Sequence, residues 1–236
     1  MNYKRVTLLC GHYGSGKTSI AVNMAYDLRR QTEHAAIADL DIVNPYFRTK
    51  DEEEELKAAG IRLICSEYAG TNVDVPALPQ DIYAILDEPE LKTIVDVGGD
   101  DRGALALGRL SSAIQDSGDY DMYLVINMYR PLTPDPESTV EIMHEIETAG
   151  RIRFTGIINN SNLGVSTTAE DVIASLDYAK ETSRLSGLPV VWTSVSEKVY
   201  HELDGTVERL LPLRLKSRIF EFYKEEGQNG KTDIQN

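Results

Sequence analysis

Short apolar runs separated by amphipathic stretches recur along almost the whole chain. RVTLLC (5–10), AAIADL (35–40), IRLIC (61–65), TIVDV (93–97), MYLVINM (122–128), FTGIIN (154–159) and PVVWTSV (189–195) are rich in β-branched residues. They alternate little between apolar and polar, as strands buried on both faces of a parallel sheet do. Between them, residues 17–31, 103–116, 136–149 and 169–186 carry helical patterns. Strand and helix in turn predict an α/β fold: a mostly parallel sheet with helices on both faces, three layers in all. No linker rich in Pro, Gly or Ser and no internal repeat interrupts the series, so one domain over 1–226 is expected, with a flexible tail over 227–236.

Two features qualify that outline. VERLLPLRLKSRIFEFYKEE (207–226) mixes apolar and basic positions and reads as a terminal helix docked on the domain; Glu221, Glu225 and Glu226 dilute its basic face, which argues against a membrane role. DEEEEL (51–56) reads as a helix N-terminus, where carboxylates suit the dipole, or as a face for a basic partner. The loops 72–82 and 128–139 each hold several prolines, and the second should be rigid, with a helix beginning near Pro136.

Charge narrows the function classes. Lys and Arg number 24 against 38 Asp and Glu, a formal charge of −14. Long-range attraction to nucleic acid or anionic lipid is therefore not expected. No apolar stretch approaches the roughly 20 residues that span a bilayer, and the N-terminus does not read as a signal peptide. Cys10 and Cys65 form no C-x-x-C pair and read as reduced thiols of a cytoplasmic protein. His144 and His201 have no metal-ligand spacing.

The chemistry begins at LLCGHYGSGKTSIAV (8–22). Gly11, Gly16, Lys17 and Thr18 match G-x-x-x-x-G-K-[ST], between a predicted strand and a predicted helix. Glycines at 11, 14 and 16 let successive N–H groups turn inward to phosphate oxygens, and the helix start adds its positive end. Lys17 would neutralise the β- and γ-phosphates, and the Thr18 hydroxyl would bind Mg²⁺. Gly11, His12, Tyr13, Gly14, Ser15, Gly16, Lys17, Thr18 and Ser19 are thus the expected nucleotide contacts.

Mg²⁺ also needs carboxylates at neighbouring strand ends. Asp39 and Asp41 close the second predicted strand and, spaced by two, point the same way. Asp96 ends a later strand, and Gly99 follows where its N–H would meet a terminal phosphate. Asp100 and Asp101 read first as helix caps, and Arg48 and Arg102 as surface arginines or phosphate clamps.

With these residues the chain resembles the ParA/MinD-type branch of P-loop NTPases, the CobQ/CobB/MinD/ParA nucleotide-binding group. The resemblance rests on GHYGSGKTSIAVNMA (11–25), IADLDIVNPYFR (37–48), TIVDVGGDD (93–101) and GIINNSN (156–162), in the family's order. It implies MgATP and a nucleotide-driven homodimer acting as a switch. By position, Asp39 would hold Mg²⁺ through water, Asp41 would orient the attacking water, and Asp96 would be the Walker-B carboxylate. Asn160, with Asn159 second, would read the base; the Asn-Lys-x-Asp pattern that selects guanine is absent, which favours ATP. One departure is clear: family members with the deviant loop carry lysine where this chain has His12, and glycine where it has Tyr13. A neutral imidazole supplies no constant charge.

The expected function is a Mg-dependent ATP-binding protein and slow ATPase, catalysed through Lys17 and Asp41 and switching an unknown protein partner. The alternative is an ATP-dependent small-molecule kinase or ligase on the same scaffold. A metal-chaperone ATPase is disfavoured by the lack of paired cysteines.

Overall fold

The computed structural model describes residues 1–41, 50–65, 80–99 and 101–214; of 50–52, 80, 101 and 102 only the backbone is described. Eight strands form one sheet: β1 (Val6–Cys10), β2 (Ala35–Leu40), β3 (Ile61–Ile64), β4 (Lys92–Val97), β5 (Tyr120–Ile126), β6 (Gly156–Asn159), β7 (Val190–Ser196) and β8 (Leu210–Leu213). Their order is β3-β2-β4-β1-β5-β6-β7-β8, and every pairing is parallel. This is an α/β fold, a parallel sheet with helices on both faces. After β1 the chain crosses to β2 and β3 on one side, returns to β4 beside β1, and then builds outward on the other side from β5. The loop leaving β1 therefore opens at the crevice where the strand order reverses, the usual ligand position in such sheets.

Both faces of the sheet are covered, which explains the weak alternation in the strands. Val6, Leu8 and Cys10 face a core shared with Leu107, Ile114, Met143 and Tyr178. Leu9 faces the opposite core with Ile20, Met24, Leu28 and Ile37. The first core lies under α4 (Asp101–Gly108), α5 (Ser111–Ser117), α6 (Pro136–Gly150) and α7 (Ala169–Ser186); the second lies under α1 (Lys17–Gln31) and α2 (Lys50–Ala58). Two short helices complete the set, α3 (Ala84–Asp87), after a 3₁₀ turn at Gln80–Tyr83, and α8 (Glu197–Leu203).

Local chemistry sets the helix ends. Asp135 caps α6 by accepting from Ser138 N, with Pro136 in the first turn. Thr168 and Asp171 form a reciprocal capping box on α7, which ends at Gly187 in the left-handed conformation. The acidic block 51–56 lies within α2.

Two expectations change. The helix expected over 103–116 is two helices, because α4 stops at Gly108 and Ser111 Oγ donates to the Gly108 carbonyl as α5 begins. The terminal segment expected as a helix from 207 contains strand β8 instead, its Leu210–Leu213 in register with Thr193–Ser196 of β7. Pro212 is tolerated there because β8 is the edge strand among the described residues. Segments 42–49, 66–79 and 215–236 lie outside the described residues, and with them Arg48, most of the 72–82 loop, the rest of the terminal segment and the tail. Among the described residues no helix is long and apolar enough to cross a membrane.

Candidate functional site

The site is built at the carboxyl end of β1. Gly11, Gly14 and Gly16 all have positive φ, and at two of them glycine is required twice over. A Cβ on Gly11 would lie 2.4 Å from the Val125 carbonyl oxygen of β5, and one on Gly16 would lie 2.2 Å from the Asn160 side-chain amide. The loop thus packs directly onto neighbouring β5 and onto Asn160, which follows β6 one strand further out. Ser15 N donates to the His12 carbonyl at 3.1 Å, closing the curl before α1 starts.

Lys17 is 7% exposed and folds back into the loop, donating from Nζ to the carbonyls of Gly11 at 2.9 Å and His12 at 3.1 Å. Thr18, one residue on, donates from Oγ1 to Asp96 Oδ2 at 2.6 Å. Asp39 and Asp96 are directly paired in register across β2 and β4, both almost wholly buried. Asp39 Oδ1 accepts from Asp41 N at 2.9 Å, fixing the chain as it leaves β2. Burial pushes the Asp96 carboxyl up to about 7; the Thr18 hydrogen bond and the Lys17 charge pull it down, while Asp39 and Asp41 add to the rise.

This donor set fits a hard divalent cation. All its groups are oxygens, two buried carboxylates and a hydroxyl bonded to one of them, which are the ligands that such a cation takes. Among the described residues no group of three or more His, Cys, Asp or Glu side chains forms a metal cage. Mg²⁺ does not require one, since it usually keeps waters and takes one or two carboxylates plus phosphate. The loop also fits phosphate: the Ser15 hydroxyl is buried there with no hydrogen-bond partner among the described residues.

The other expected residues fall around this centre. A Cβ on Gly99 would lie 2.7 Å from Tyr13 N and 2.9 Å from Lys17 Nζ, so the turn after β4 touches the loop. His12 Nδ1 donates to the Tyr13 carbonyl at 3.0 Å, and the Tyr13 ring is 67% exposed. Ser19 is exposed, and its carbonyl accepts from Asn23 Nδ2. Asn160, expected at the base, is buried under the loop: its Nδ2 donates to the Ser15 carbonyl at 2.6 Å and its Oδ1 accepts from Ser194 Oγ at 2.6 Å. Asn159 is buried too, donating to Ser175 Oγ and accepting from Ser161. Asp100 lies outside the described residues, and of Asp101 and Arg102 only the backbone, at the start of α4, is described. Cys10 is buried beside the loop, and burial pushes its thiol far up; Cys65 is half-buried, and neither is in a disulfide.

Sequence reasoning missed Arg130. It belongs to the turn after β5, and its guanidinium borders the space above Gly14 of the loop. The signal was slight: an arginine before proline, directly after a strand bordering β1. By contrast, an open cavity of about 390 Å³ lined by residues including Lys180, Trp192 and Glu208 contains none of these groups.

Comparisons with known proteins support the fold. A scan of protein-family models and a search of curated proteins each returned no match. Among solved structures, the chain is similar to FtsY from Mycoplasma mycoides, at 19% identity and a TM-score of 0.53, over 84% of this chain and 63% of that one. It is similar to the cell division protein FtsY from Thermotoga maritima, at 18% and 0.53, over 82% and 62%. Chloroplast FtsY from Physcomitrella patens gives 15% and 0.52, over 82% and 59%. The chain spans about three fifths of the length of these structures, and at such identities the likeness is one of fold.

Proposed function

We propose that this protein binds a magnesium–nucleoside triphosphate, with ATP as the nucleotide, and hydrolyses it slowly as a switch on a partner protein. The observation that carries the reading is the Thr18–Asp96 hydrogen bond at the mouth of the glycine loop, beside buried Asp39. It joins the phosphate cradle to the carboxylates that a magnesium site would use. In this reading Lys17 leaves the Gly11 and His12 carbonyls for phosphate oxygens. Thr18, Asp39 and Asp96 would hold Mg²⁺, which would screen the charge of the transferred phosphoryl group. Asp41 orients the attacking water, and Gly99, touching the loop, offers its N–H to the γ-phosphate.

ATP is favoured over GTP because Asn160 is followed by Ser161, Asn162 and Leu163 rather than the guanine-selecting pattern. Asn160 remains the candidate to mark the base, through whatever hydrogen-bonding capacity its loop contact leaves. The ParA/MinD-type affiliation, a nucleotide-dependent homodimer and a cytoplasmic setting belong to the same proposal; so do one domain over 1–226 and a flexible 227–236. Small-molecule kinase or ligase chemistry is the second reading. It would need a second substrate held by loops 41–50 and 72–82.

The test is phosphate release from MgATP and MgGTP by the wild type and Lys17→Ala. Slow ATP-dependent release, lost in the variant, supports the switch. Release only after a small-molecule acceptor is added favours the second reading. Failure of the wild type to bind either nucleotide overturns both.

A further inference from the structure

Arg130 occupies a position that the rest of the fold does not explain. It sits in the turn after β5, on the side of the loop opposite Asp39 and Asp96, since β5 and β4 flank β1. A Cβ built on Gly14 would lie 3.6 Å from Arg130 Nε, 3.8 Å from Cδ and 3.9 Å from Cζ, so the guanidinium borders the middle of the loop, where any side chain at Gly14 would touch it. Its Nε is buried and has no hydrogen-bond partner among the described residues. Nor does the side chain form an ion pair with any of the described carboxylates.

The turn that carries it is firmly built. Arg130 N donates to the Asn127 carbonyl, Thr133 N donates to the Arg130 carbonyl, and Thr133 Oγ1 returns to Asn127 O at 2.9 Å. Tyr178 Oη donates to the Thr133 carbonyl from α7, and Asn127 Oδ1 accepts from Tyr129 N. The backbone of residue 130 is therefore pre-positioned, and the side chain has little distance to cover. A buried guanidinium nitrogen without an acceptor is costly. A phosphate oxygen would satisfy it, because the planar fork of arginine matches phosphate geometry.

We propose that Arg130 is a second phosphate-binding cation of this site, contacting the phosphate chain in cis from the β5 side while Lys17 acts from within the loop. This rests on the nucleotide reading of the loop. It also supplies a fixed positive charge within one chain. Lys17, Arg130 and the metal would together offset the charge of a triphosphate.

Calorimetric titration of MgATP and MgADP, and displacement of labelled ADP by magnesium pyrophosphate, test this on the full chain. The proteins compared are wild type, Arg130→Ala, Arg130→Lys, Arg130→Gln and Lys17→Ala, each with its thermal midpoint recorded. Loss of one charge-assisted contact predicts an affinity about 10–100-fold weaker for all three probes in Arg130→Ala. Arg130→Lys should recover most of it and Arg130→Gln little. If Arg130→Ala does not fold, the Lys and Gln variants decide, since both keep the apolar stem, Lys with the charge and Gln without it. Unchanged affinity in Arg130→Ala, or equal recovery by Gln and Lys, overturns the proposal while loss of binding in Lys17→Ala leaves the nucleotide site standing. Weaker ATP binding with unchanged pyrophosphate binding also overturns it, because the contact would then be to base or sugar. A wild type that binds none of the probes overturns this and the nucleotide reading together.

Discussion

Asn160 donates from its side-chain amide to the carbonyl of Ser15, 2.6 Å away across 145 residues of sequence. The same amide accepts from Ser194 Oγ, so one buried side chain ties the phosphate loop to β6 and β7. Gly16 must lack a Cβ because this amide occupies the space. The loop is therefore held in shape from below, by a residue that the family resemblance would assign to a nucleotide base.

Replacing Asn160 by alanine leaves the Ser15 carbonyl and the Ser194 hydroxyl without this partner in a buried setting. The expected cost is about 1–3 kcal/mol of folding stability, read from the urea midpoint at constant slope. Nucleotide affinity should fall as well, since the curl of the loop loses its support.

Ser15→Ala should separate stability from binding in the opposite sense. The wild-type hydroxyl is buried with no hydrogen-bond partner among the described residues, and removing such a group is neutral or slightly stabilising. The thermal midpoint is expected to hold or rise while affinity for MgATP drops. A fall in the midpoint of several degrees would show that the hydroxyl supports the loop.

Gly99→Ala drives a methyl group to within 2.7 Å of Tyr13 N and 2.9 Å of Tyr13 Cα, both backbone atoms. The loop or the turn after β4 has to move. Overpacking of this kind costs about 1–3 kcal/mol, but the displaced element is the cradle. Triphosphate affinity should therefore fall by more than the stability loss accounts for, as paired calorimetry and urea titration would reveal.

Asp96 links the site to pH. Its carboxyl ionises near 3.8 in an unfolded chain and is pushed up to about 7 in the fold, chiefly by burial. Between those values the folded protein holds more protons than the unfolded one, so its stability declines as pH rises through the window. The contribution is complete below about 4. Thermal unfolding of the nucleotide-free protein from pH 5 to 8 should show a falling midpoint, with a shallower fall in Asp96→Asn. Equal slopes would mean that Asp96 does not carry the effect.

The strands and most helices were legible because their signals are local. β2, β4 and α7 lie within one residue of the expected bounds, and Asp135 with Pro136 marks the start of α6 in plain sequence. The glycine loop was legible for a stronger reason: its conformation needs Gly11 and Gly16 in particular, and few other structures ask for that spacing. The break at Gly108 and the strand at Leu210–Leu213 were not. Leu210 to Leu213 sits in a stretch whose apolar and basic residues also suit a helix, and pairing with the β7 edge decides between them.

The sequence by itself determined the alternation of elements, the burial of both sheet faces and the presence of a phosphate cradle, because each depends on residues within one turn or one strand. Tertiary structure alone decided that Asp39 stands beside Asp96, that Asn160 braces Ser15, and that Arg130 borders Gly14. Those contacts follow from strand order and from packing between segments far apart in the chain, where the neighbours of a side chain are set by what the sheet brings beside it.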